Sequence, residues 1–249
     1  MDIRGETEER GVRRIEFTVP RPEPVPGILW LPAGPSRPRP LVLIGHGGAL
    51  HKEAPGVVRV SQALARGPGY AAVAIDLPLH GERVPADERG LSPAQRRERL
   101  GLEGWRARND QSLPQGVADW QATLDALQAP GLAGSGPVGY WGVSMGTRFG
   151  VPLAAAEPRI SAAVFGLFGC ADENTVVAQA AARLTIPLLY LQQWDDELFP
   201  RADGLRLFDL FGSQAKTMHA NPGGHLELPR IELEAMIAFF RRHLGGAES

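Results

Sequence analysis

Ser144 sits within Gly142-Val143-Ser144-Met145-Gly146, and groups able to activate a serine lie downstream of it. They are the acids of Asp195-Asp196-Glu197 and the imidazole of His225. A serine hydroxyl is a poor nucleophile until a base takes its proton. Histidine, with an ordinary pKa of about 6.5, does this near neutrality. A carboxylate behind the imidazole fixes its tautomer and stabilises the imidazolium. Upstream, Gly45-His46-Gly47-Gly48 offers backbone N–H groups to a developing oxyanion, with Gly48 the expected donor. The N–H of Met145, opening the next helix, is the expected second donor. One such donor is typically worth about 2.7–4 kcal/mol of barrier. The chemistry these residues spell is acyl transfer through a covalent intermediate. Spacing alone leaves the three acids as alternatives, and the bland rival is a glycine-rich turn with an ordinary serine.

The elements around these residues decide between those readings. Pro137 to Trp141 is a short apolar run that predicts a buried strand, and Thr147 to Ala156 predicts a helix. A serine on the tight turn between them stands clear of the sheet, and glycines flank it because the turn is crowded. Further strands are expected at Arg13–Val19 (an edge strand), Val25–Leu31, Leu41–Ile44, Ala71–Ile75, Ala162–Leu167, Pro187–Leu191 and Ala215–His219. Further helices are expected at Val57–Ala65, Gln115–Leu127, Thr175–Leu184, Leu205–Phe211 and Ile231–Leu244. After the first two strands, strand and helix alternate to the end. That rhythm predicts an α/β fold: a mostly parallel central sheet of about eight strands with helices on both faces. Such sheets bind ligands at the carboxyl ends of their strands. The glycines at 45–48, Ser144, the acids at 195–197 and His225 each follow a predicted strand.

Composition excludes several other classes. The chain has 249 residues, with 43% hydrophobic and 22% charged side chains, which suits one α/β domain spanning 1–249. Twenty-six basic side chains face 28 acidic ones, a net charge of −2, so no field points to nucleic acid or an anionic membrane. Cys170 is the only cysteine, which excludes an internal disulfide and a multi-cysteine zinc site. Met1 to Arg14 is crowded with charge and does not read as a signal peptide, and no apolar run reaches membrane-span length. The expected location is cytoplasmic, with no metal and no organic cofactor.

These segments together resemble the α/β-hydrolases, from about Val25 to Leu244. The matching pieces are His46-Gly47-Gly48, the Gly142–Gly146 pentapeptide, Asp195-Asp196-Glu197-Leu198-Phe199-Pro200, and Gly223-Gly224-His225. Members of that family commonly place the acid three or four residues before a Val-Pro or Phe-Pro pair. The resemblance therefore implies Asp196 as the acid, with Asp195 as the alternative to it. The short length and the Gly45–Gly48 segment with nearby His51-Lys52 are similar to the dienelactone-hydrolase-like branch. Dienelactone hydrolases proper use a cysteine nucleophile at this position, and serine at 144 implies a serine esterase of the same shape instead. The implied substrate is a small or medium carboxylic ester. An acyltransferase, thioesterase or peptidase would use the same triad, and a non-catalytic hydrolase-fold binding protein is the rival of another class.

The remaining residues are read as support. His46 is expected to orient the oxyanion loop, and His80 to brace the loop after Ala71–Ile75. His46, His51, Trp105 and Trp194 are candidate pocket residues, and His51-Lys52 is read either as the cavity entrance or as a solvated loop. Residues 84–113 form a longer connection than usual, read as a surface insertion or a small lid with Leu100, Leu102 and Trp105 turned inward. Between Phe168 and Pro187 there is room for one short helix, so no large cap domain is expected. The glycines at 223 and 224 suit a loop able to swing the imidazole over Ser144.

Overall fold

The computed structural model describes residues 1–34, 38–129, 132–133 and 136–245. Among these residues nine strands form one sheet: β1 (Asp2–Glu9), β2 (Val12–Val19), β3 (Val25–Pro32), β4 (Leu41–Gly45), β5 (Ala71–Ile75), β6 (Val138–Gly142), β7 (Ile160–Gly166), β8 (Leu188–Gln193) and β9 (Lys216–Asn221). Their spatial order is β1-β2-β3-β5-β4-β6-β7-β8-β9. β1, β2, β3 and β5 pair antiparallel in turn, and every later pair is parallel. Among the described residues six α-helices cover it: α1 (Pro55–Arg66), α2 (Pro93–Gln128), α3 (Met145–Ala156), α4 (Val176–Arg183), α5 (Arg201–Leu210) and α6 (Ile231–Leu244). This is the mostly parallel, helix-covered α/β sheet that the alternation predicts, and it agrees with the α/β-hydrolase fold that the resemblance implies.

The central strands β4, β5 and β6 are buried along their whole length, because helices cover both faces. Trp120, Tyr140 and Phe149 fill one side of the sheet, and Val57, Trp141 and Phe240 belong to the other. No helix among the described residues is long and apolar enough to cross a membrane.

Two elements depart from expectation. β1 is a ninth strand in a segment whose charge hides it: all eight residues are exposed, so no alternation marks it. It holds by its backbone ladder to β2 and by ion pairs such as Arg13–Glu6 at 2.7 Å. β2 is therefore an inner strand, not the edge. The helix expected at Gln115–Leu127 is the last third of α2, which runs 36 residues from Pro93, just after Ser92, a capping-box N-cap paired with Gln95. It is two helices merged across a break at Gly101, where φ is 68° and ψ 168°.

Positioning of the site follows from the crossovers. β4 lies between β5 and β6, so the chain leaves β4 to one side and returns on the other. That is the switch point at which an open parallel sheet leaves a crevice. Gly45 is in register with Gly142, so the loops leaving β4 and β6 start side by side. Gly166 pairs with Leu191, and Gln193 with Asn221, which brings the loops after β7, β8 and β9 to the same edge.

Candidate active site

Ser144 occupies the turn between β6 and α3 with φ 57° and ψ −121°, a conformation that non-glycine residues rarely adopt. Its N–H donates to Gly166 O at 2.8 Å. The Thr147 hydroxyl accepts from Gly166 N–H at 2.8 Å and lies 2.7 Å from Gly166 O and 2.9 Å from Gly142 O, tying the turn to β7. The flanking glycines have steric causes. A Cβ at Gly142 would stand 2.8 Å from the Tyr140 ring, and one at Gly146 would stand 2.8 Å from Gly45 O. The Tyr140 hydroxyl donates to Gly146 O at 2.7 Å and closes the same corner.

His225, after β9, places Nε2 3.0 Å from Ser144 Oγ. Its Nδ1 lies 2.8 Å from Asp196 Oδ2. The other oxygen of Asp196 accepts the N–H groups of Leu198 at 2.8 Å and Phe199 at 3.0 Å, so the carboxylate is held on both sides. The Phe199 ring covers the imidazole at 5.8 Å between centroids. Serine, imidazole and carboxylate thus form one hydrogen-bonded line, of which the His225 and Asp196 side chains are buried, at 5% and 1% exposure.

The neighbouring acids serve the loop backbone. Asp195 accepts from Gly223 N–H at 3.1 Å, and its own N–H donates to Gly223 O. Glu197 accepts the N–H of His225 at 2.8 Å, and Glu227 that of Gly224 at 2.7 Å. The bond to His225 N–H holds the Glu197 carboxyl below its ordinary pKa. The loop after β9 is therefore tied at three points and does not have the freedom expected of it. Its glycines answer crowding: Gly223 has φ of 104°, and a Cβ at Gly224 would stand 2.8 Å from Glu197 Oε2.

Gly48 and Met145 both face the cavity in front of Ser144. Neither amide N–H has an acceptor among the described residues. His46 is buried beneath them. Its Nε2 accepts from Leu77 N–H at 3.1 Å, so Nδ1 carries the proton and donates to Gly47 O at 2.9 Å. Burial pushes its pKa down to about 3, so it stays neutral and braces the loop. His80 packs against it at 5.2 Å and is bound to Pro78 O.

A cavity of about 1330 Å³ opens over Ser144. Leu50, Leu102, Leu198 and Leu226 line it while remaining exposed, as does the half-buried Trp105. Its cover is the amino-terminal part of α2, while the segment from Phe168 to Pro187 holds only the short α4 and reaches the cavity, among the described residues, through Phe168.

Several sequence expectations need correction. His51 is exposed and caps Glu53 N–H instead of lining the cavity. Trp194 does not line the cavity, and its ring stacks with Arg201 at 4.1 Å. Leu100 does not line the cavity either. Lys52 is no loop lysine in solvent: it is buried against Asp76 at 2.8 Å and Glu82 at 2.6 Å. Burial alone would lower its pKa, but these two carboxylates outweigh it and raise it. Sequence reasoning passed over Thr147 and Phe199, whose only signals are a hydroxyl three residues after the serine and an aromatic three after the acid.

Comparison with known proteins adds to this geometry. No family model and no curated protein matches the chain. Among solved structures, a cold-adapted esterase from an Arctic intertidal metagenomic library, in a polyethylene-glycol-bound complex, is 34% identical. The match covers 98% of this chain and 100% of that one, with a TM-score of 0.80. An acetyl xylan esterase from Paenibacillus sp. R4 is 17% identical over 98% of this chain and 88% of its own, with a TM-score of 0.73. Dienelactone hydrolase from Anabaena variabilis is 20% identical over 94% and 100%, with a TM-score of 0.66. These last two share the fold.

Proposed function

The chain belongs to the α/β-hydrolase family, among its carboxylic ester hydrolases, and from that membership we propose that Ser144, His225 and Asp196 are its catalytic triad. The observation that carries the reading is the unbroken line Ser144 Oγ–His225 Nε2 (3.0 Å) and His225 Nδ1–Asp196 Oδ2 (2.8 Å). Ser144 Oγ attacks the ester carbonyl carbon as His225 Nε2 takes its proton. The tetrahedral oxyanion is held by the N–H groups of Gly48 and Met145. Asp196 keeps the proton on Nδ1 and stabilises the imidazolium. His225 then protonates the departing alkoxide, leaving an acyl-Ser144 ester. Water, deprotonated by His225, attacks that ester, and Ser144 recovers its proton as the acid leaves.

The size of the cavity and its leucine walls support small or medium esters with an apolar part. Ser144→Ala should lower kcat/KM for a short p-nitrophenyl ester by at least about four orders of magnitude and end labelling by a fluorophosphonate. Turnover surviving in that variant would remove Ser144 from the reaction. Asp196→Asn should cost about 10⁴-fold in kcat, because the amide cannot hold the required tautomer. Asp195→Asn, which alters only a loop contact, should cost far less. A larger loss at 195 than at 196 would reverse the assignment of the acid.

A further inference from the structure

The chain carries a net charge of −2, yet arginines outnumber acids by seven to three among the described residues lining the cavity. The excess is real once pairs are removed. Arg108 is neutralised by Glu88, which it holds through both terminal nitrogens at 2.5 and 2.7 Å. Arg96 reaches the same carboxylate only at 4.0 Å, and its Nε is buried with no hydrogen-bond partner among the described residues. Arg97 and Arg106 are exposed and have no carboxylate partner among the described residues. On the acid side, Glu232 is occupied by His219 at 2.9 Å and Asn221 at 3.0 Å.

Arg148 completes the wall from α3, one turn beyond Ser144. Its side chain is 20% exposed. It donates to the Asn109 carbonyl at 2.8 Å, and its nearest carboxylate, Asp110, lies 3.7 Å away and is 83% exposed. Burial holds its pKa below the ordinary arginine value, the sign of a charge with too little compensation. A guanidinium has five donors in a planar fork suited to a carboxylate or phosphate. Positive groups lining a concave, partly apolar cleft also focus their field into it.

We propose that this wall is an anion subsite, so that the enzyme prefers esters bearing a second, negatively charged group, held by Arg148 and the arginines of α2 while the ester carbonyl sits at Ser144. The proposal rests on the assignment of Ser144 for where the carbonyl sits. The charge preference itself can be read without that assignment.

The test uses 4-methylumbelliferyl esters of equal chain length that end in a carboxylate, a phosphate monoester or a neutral methyl ester. The anionic esters should exceed the neutral one in kcat/KM by about tenfold, chiefly through KM, and the advantage should collapse between about 0.02 M and 0.5 M salt. Which anion gains more distinguishes a carboxylate site from a phosphate site. The double variant Arg97→Gln/Arg106→Gln, at exposed positions, should reduce the ratio. Arg148→Met should remove most of it, and Arg148→Lys should restore part. A ratio of one or below in the parent protein, or a ratio unmoved by all three variants, overturns the proposal. Calorimetry of monomethyl adipate on Ser144→Ala protein separates the two readings. Salt-sensitive binding there, with no parent turnover of any ester, sinks the triad and keeps the subsite. Turnover of the neutral ester with no such binding does the reverse.

Discussion

A Cβ at Gly146 would meet two backbone atoms, Gly45 O at 2.8 Å and Gly45 C at 3.2 Å. Those atoms belong to β4, a buried strand paired on both sides, so the methyl group has nowhere to go without moving the sheet or α3. Gly146→Ala should cost about 1–3 kcal/mol, read as a lower urea midpoint. Gly48 is the contrast, because nothing lies within 4 Å of a Cβ there. Gly48→Ala should stay within about 0.5 kcal/mol of the parent. Equal stability of the two variants would mean that the elbow has slack. The serine, the histidine and the glycines were legible because each has a residue type that little else explains at its place. The acid was legible only through the family's spacing ahead of Phe199-Pro200, since Asp195, Asp196 and Glu197 share a charge and a turn. Only the chain's path after β8 sends one to the imidazole and the other two to backbone N–H groups.

Among the elements, parallel strands were legible because burial on both faces leaves unbroken apolar runs, as at Leu41–Ile44. β1 was not, since a strand exposed along its length carries no pattern of burial. The amino-terminal part of α2 was legible only as a surface insertion or small lid, because its arginines resemble a solvated surface segment while several of them line the cavity. Gly101 marks the division inside that helix. Its φ of 68° and ψ of 168° fall in a region open to glycine and closed to other residues. Gly101→Ala should therefore cost about 1–3 kcal/mol if the break is kept. If the helix straightens instead, helicity rises, and Pro93 and Arg96 shift against Leu102 and Trp105, changing KM for esters. A variant with parent-like stability, helicity and KM would show that the break does not set the cavity wall.

For the molecule as a whole, the buried His46 and the half-buried His80 tie the site to global stability. His46 is enclosed by His80, Asp76 and the His51 loop, and its pKa lies near 3 because burial disfavours the imidazolium. His80 is displaced in the same direction, again by burial. In the unfolded chain both return to about 6.5. Between about pH 3 and 6.5 the unfolded chain therefore binds protons that the native protein refuses, and stability must rise with pH through that window. Carboxylates such as Glu157, held low by Arg159, slope the same way but only as pH falls past their ordinary value. The two contributions separate with His46→Gln, whose amide can still accept from Leu77 N–H and donate to Gly47 O. The parent should lose several kcal/mol of unfolding free energy between pH 7 and pH 4.5, and the variant distinctly less, by urea titration at each pH. Parallel losses in the two proteins would assign the acid limb to carboxylates alone. A steeper loss in the variant would mean that His46 is charged in the native state, which its two hydrogen bonds forbid: Nε2 accepts, and an imidazolium has no lone pair to accept with.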